Sequence, residues 1–88
     1  MDNEKAIFYS LDVIESRISE KLTVENIANA VYFSNNHYQR LFREIAGETV
    51  MEYVMKRKLT LAGRALLESD ASIIDIVSVF SLTAFAKR

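Results

Sequence analysis

The sequence predicts an all-α fold, and three observations carry that expectation. Proline is absent and glycine occurs only as Gly47 and Gly63, which disfavours a turn-rich β chain and a disordered chain alike. Half of the residues are hydrophobic, enough to form a packed core. The apolar residues recur at helical spacing, in stretches mostly opened by Ser or Thr. With 88 residues the chain should form one domain, because so short a chain cannot support a second core.

The elements follow in order. Ile7, Leu11, Ile14 and Ile18 step by four, three and four, which places one apolar stripe on a first helix. Thr23 is placed to cap a second helix with Val24, Ile27, Ala28 and Val31 inward. Ser34 is placed to cap a third, running through 34–46 with Tyr38, Leu41, Phe42 and Ile45 inward and Gly47 ending it. Thr49 and Glu52 have the spacing of a capping box and open a long fourth helix over 50–67, with Met55, Leu59, Ala62 and Leu66 as its stripe. Ser72 and Asp75 repeat that spacing, so a fifth helix starts near Ile73 with Ile73, Ile76, Val77 and Phe80 inward.

Composition removes several classes of function. Without cysteine there is no disulfide framework and no thiolate metal or redox site. One histidine, no Gly-rich phosphate loop and no nucleophile motif leave no catalytic constellation, and no cofactor or metal is expected. The N-terminus is acidic and polar and no apolar run approaches a membrane span, so a cytoplasmic protein without a membrane partner is expected. Net charge is −1, yet its distribution is uneven. Acids prevail up to Ser34, whereas Arg40, Arg43, Lys56, Arg57, Lys58 and Arg64 make the middle basic.

Two short helices joined by a tight turn and packed on a first helix suit a homeodomain-like helix-turn-helix bundle, which sets its second helix into the DNA major groove. Removing the apolar stripe of the third helix leaves Asn35, Asn36, Gln39, Arg40 and Arg43, and positions 36, 39, 40 and 43 share one face. Asn and Gln pair with the edge of adenine, and Arg with guanine or with phosphate. The same residues would also suit a solvated helix face. His37, without a carboxylate or Cys at ligand spacing, reads as a surface or turn-packing residue, and Tyr38 and Phe42 read as core. In "MKRK", residues 55–58, the cations spread around the helix, as phosphate contacts or as a solvated face.

Ala28, Ser34, Arg40, Leu41, Phe42, Gly47, Tyr53, Leu59, Ala62, Leu66, Ile73 and Ile76 stand together in "LTVENIANAVYFSNNHYQRLFREIAGETVMEYVMKRKLTLAGRALLESDASIIDI". That stretch resembles the DNA-binding module of the AraC/XylS family of bacterial transcription regulators. The resemblance implies two helix-turn-helix subdomains joined by a long central helix: a complete first subdomain over 5–47, a connector over 50–67 and a partial second subdomain over 72–88. It implies base contacts through Asn36, Gln39 and Arg40. Phosphate contacts fall to Asn35, Arg43, Arg57 and Lys58. Lys58 stands where the family usually has Arg, and Tyr32 where the turn often has Gly. The implied partners are double-stranded DNA and RNA polymerase.

The last stretch departs from the family pattern, because "VSVFSLTAFAKR" lacks the Gly-Phe turn that usually follows. With no Gly or Pro to break it, residues 73–88 are expected to run as one helix, burying Ile73, Ile76, Val77, Phe80 and Ala84 and exposing Val79, Leu82 and Phe85 for pairing with a second copy. The alternative has Ser81 capping a very short sixth helix. Sequence-specific DNA binding by a transcription regulator is therefore the leading expectation. A degenerate regulator fragment that dimerises through its tail and binds DNA weakly is the alternative.

Overall fold

The computed structural model describes residues 2–70 and 72–81, which form five α-helices and, among those residues, no strand. Leu82, Ala84 and Phe85, named above for the tail, lie outside the described residues.

Each helix starts where a side chain can satisfy its orphan N–H groups. Asp2 accepts from the backbone N–H of Lys5 at 2.9 Å and opens α1, Asn3–Ser16. Thr23 and Ser34 do the same for α2, Val24–Ala30, and α3, Asn35–Ala46. α4, Val50–Glu68, begins with the full capping box: the Glu52 N–H donates to the Thr49 hydroxyl at 3.1 Å, and the Thr49 N–H donates to the Glu52 carboxylate at 3.0 Å. Ser72 caps α5, Ile73–Val79.

The turn between α2 and α3 sets the angle of the bundle. After Val31, the Tyr32 N–H donates to the Asn29 carbonyl at 3.1 Å and the Phe33 N–H to the Ala28 carbonyl at 3.0 Å. Those two bonds are the Schellman arrangement, which needs a left-handed residue between them. Tyr32 takes that role with φ of 62°, although its ring gains little, being 92% exposed. A left-handed non-glycine residue costs about 1–2 kcal/mol, partly recovered because the side chain restricts the unfolded chain. Tyr32→Gly should therefore stabilise the domain by about 0.5–1 kcal/mol and raise Tm by about 2–6 °C. A thermal melt of the two proteins checks this, and a lower Tm in the variant would contradict it.

α1, α2 and α3 enclose one core, with Ile7, Ile14, Ile27, Ala28, Tyr38 and Phe42 fully buried and Val50 and Val54 of α4 closing it. Ile18, the last residue of the stripe expected on α1, is buried in the loop after the helix has ended at Ser16. Three apolar expectations are corrected. Ile45 is exposed, because the core past Phe42 is completed by Val50 and Val54 rather than by the last turn of α3. On α4 the buried row is Val50, Val54, Lys58 and Ala62, so Leu59 and Leu66 face outward. In α5 only Ile76 is buried and Ile73 is 68% exposed.

The single helix expected over 73–88 is also corrected. α5 ends at Val79, with Phe80 as its C-cap, and Ser81 turns left-handed at φ of 54°. The bond that favours this turn is tertiary: the Ser81 hydroxyl donates to the Ser19 carbonyl at 3.0 Å.

Candidate nucleic-acid interface

α3 buries Tyr38, Leu41 and Phe42 against α1 and α4 and thereby turns Asn36, Gln39, Arg40 and Arg43 outward. These four, with Glu44, Thr49 and Val50, line an open concavity of about 590 Å³ between α3 and the start of α4. Among the described residues none of the four side chains makes a hydrogen bond or ion pair, whereas Arg17, Lys56 and Arg57 are paired with Glu20, Glu48 and Glu15. This face of α3 thus presents donors and acceptors that no other described residue engages.

Two neighbouring features limit that surface. The Glu52 carboxylate sits at the α4 N-terminus, where the backbone N–H and then the hydroxyl of Thr49 hold its pKa below the usual value. It supplies negative charge near Arg43 and already counters the positive end of the helix. At the other end, the His37 ring stacks on Phe33 with centroids 4.5 Å apart, so His37 braces the turn. Tyr38 and Phe42 lie in the core rather than on the face of α3 that lines the concavity.

Comparison with known proteins gives this geometry a context. The family model for bacterial regulatory helix-turn-helix proteins of the AraC family matches residues 14–55. That span holds α2, the Tyr32 turn, α3 and the capping box of α4. YbfP, an uncharacterized HTH-type transcriptional regulator of Bacillus subtilis, is 40% identical over 73 residues, covering 83% of this chain and 25% of that protein. The chain belongs to the AraC family.

PqrA, a probable transcription factor of Proteus vulgaris, is 38% identical over 68 residues, which cover 77% of this chain and 56% of that protein. A crystal structure of an AraC-type transcriptional regulator from Chromobacterium violaceum superposes with a TM-score of 0.80 at 25% identity, over 88% of this chain and 69% of that one. The chain spans a quarter of YbfP and somewhat over half of PqrA.

Within this AraC-family domain the residues expected at DNA separate into three groups. Asn36, Gln39, Arg40 and Arg43 come together on the concavity, and Asn35 is exposed at the first turn of the same helix. Arg57 is elsewhere, holding Glu15 of α1 through two hydrogen bonds, of which that between Nη2 and Oε2 is 3.2 Å. Lys58 is corrected as a phosphate contact. It is 1% exposed, and its ammonium donates to the carbonyls of Ile18, Glu20 and Phe80 at 2.6, 2.7 and 2.8 Å, which uses all three of its protons.

Glu44 and Thr49 line the concavity without having been expected there. The sequence signal for Glu44 is its place one turn beyond Arg40, on the row that also holds Asn36, whereas the spacing of Thr49 to Glu52 points only to a cap. Among the described residues no helix is long and apolar enough to cross a membrane.

Proposed function

We propose that this chain is the DNA-binding part of a cytoplasmic transcription regulator and that α3 reads the major groove. Asn36, Gln39 and Arg40 meet base edges, while Asn35 and Arg43 contact phosphate oxygens. Arg57 reaches phosphate by exchanging Glu15 for a phosphate oxygen. RNA polymerase is the protein partner that fits such a regulator, and no catalytic role is assigned. The observation that supports this reading most is the set of unpaired polar side chains on one face of α3.

The test starts from selection of a binding site out of a randomised duplex library, followed by titration of the selected duplex at several salt concentrations. Arg40→Ala should weaken binding about tenfold to a hundredfold and relax the preference at one base pair. Arg43→Ala should weaken all sequences alike and reduce the salt slope by about one. Equal affinity of wild type and Arg40→Ala for the selected duplex would sink the reading.

A second reading, a helical module that pairs with its own copy, is supported by apolar exposure around α5. Leu67, Ile73, Ile74 and Val79 are 90, 68, 80 and 57% exposed. Sedimentation of the wild-type chain beside Val79→Glu separates the two: a dimer dispersed by the substitution supports pairing, and a wild type that is monomeric removes it.

A further inference from the structure

Lys58 is the one charged residue in the buried row of α4. Burial lowers the pKa of its ammonium, and the charge of Glu20 acts the other way. Its proton acceptors are backbone carbonyls drawn from both ends of the molecule. Ile18 and Glu20 belong to the loop between α1 and α2, and Phe80 is the C-cap of α5. The last carbonyls of a helix have no partner within it, so the Phe80 oxygen is satisfied from outside by Lys58. A hydrocarbon side chain in the same space would leave three carbonyls without that donor.

Among the described residues, α5 packs against α4 with few buried side chains of its own. It has seven residues, of which only Ile76 is buried, with Val77 and Phe80 half-buried. The Ser81 hydroxyl reaches the same loop at Ser19, between the two loop carbonyls that Lys58 engages. Two side chains, one from the connector and one from the end of α5, therefore bind a single three-residue segment, Ile18 to Glu20.

We propose that Lys58 is a positioning residue that locks the end of α5 to the α1–α2 loop, so that α5 keeps one fixed orientation to the reading helix. The consequence for DNA binding rests on the assignment of α3 as reader, but the lock itself does not. A long cationic side chain suits the task because it can donate to carbonyls on separate segments; the lysine ammonium carries three protons and a guanidinium five.

The chain has no cysteine, so spin labels can be placed at will. Asn29→Cys on α2 and Ser78→Cys on α5, both exposed, report the orientation of α5 to the first three helices by their distance distribution, measured without DNA. Wild type should give one narrow distance. Lys58→Met should broaden it at least twofold while amide exchange within α1–α3 stays unchanged, and Lys58→Arg should restore the narrow distance. Ser81→Ala deletes only one hydroxyl bond, so it decides the matter if Lys58→Met does not fold: broadening supports the lock. An unchanged narrow distance in folded Lys58→Met, or in Ser81→Ala when Lys58→Met does not fold, overturns it. Failure of the Arg40→Ala titration would remove the reader and leave these outcomes intact.

Discussion

Phe42→Ala should cost about 3–5 kcal/mol, the usual cost of deleting a buried aromatic ring. A domain of this size has on the order of 5–10 kcal/mol in total, so the variant should lose about half its stability and its urea midpoint should fall by a comparable fraction. Phe42 is fully buried, tilted against Tyr38 and edge-on to Tyr53, with centroids 5.8 Å apart in both pairs. Its ring thus joins α3 to α4, and Phe42→Ala leaves a cavity bordered by both helices. The same helix carries Asn36, Gln39 and Arg40 on its opposite face, so DNA binding should fall with stability in Phe42→Ala. In Arg40→Ala binding should fall while the urea midpoint stays within about 0.5 kcal/mol, as for a surface change. A Phe42→Ala protein within about 1 kcal/mol of wild type would mean that the site had collapsed around the missing ring.

The contrast between these two residues shows what local sequence pattern makes legible. Thr23, Ser34, Thr49 with Glu52, Ser72 and Gly47 each act within four residues, and each caps the helix end expected of it. The polar face of α3 was legible for the same reason, since the periodicity that buries Tyr38 and Phe42 turns the positions between them outward. At Lys58 the pattern of α4 misleads, because a charged residue suits solvent and the apolar spacing runs through Leu59 and Leu66, whereas the buried row holds Lys58. Nothing in the neighbourhood of Lys58 announces carbonyl acceptors at Ile18, Glu20 and Phe80, which lie 40, 38 and 22 residues away. The end of α5 failed similarly: a left-handed Ser81 is held by Ser19, 62 residues earlier, where the local rule looks for glycine. Tyr32 is intermediate, since the resemblance pointed to a position that often holds Gly and the backbone is left-handed there.

The second large effect is alkaline destabilisation through Tyr38. Its phenol is fully buried between α1 and α3, donating to the Ser10 hydroxyl at 2.9 Å, which in turn donates to the Ile7 carbonyl at 2.6 Å. Burial pushes its pKa up to about 12, against the smaller lowering effect of the Ser10 bond. In the unfolded chain it is about 10. The folded value is the higher one, so the unfolded state releases its proton first and the stabilising contribution is complete only below about pH 10. As pH rises from about 10 to about 12 it is lost, a change of roughly 3 kcal/mol for two units. Tyr53, raised by partial burial and by the charge of Glu15, adds loss of the same sign. Tyr38→Phe should be less stable near pH 7 by about 1 kcal/mol, the net worth of one hydrogen bond. The Ser10 hydroxyl keeps its bond to Ile7, so the substitution strands no donor. Above about pH 10 the variant should decline more slowly with pH than wild type and overtake it, because the residue that drives alkaline unfolding is gone. Urea midpoints measured at several pH values for both proteins check this, and parallel declines would place the alkaline sensitivity outside Tyr38.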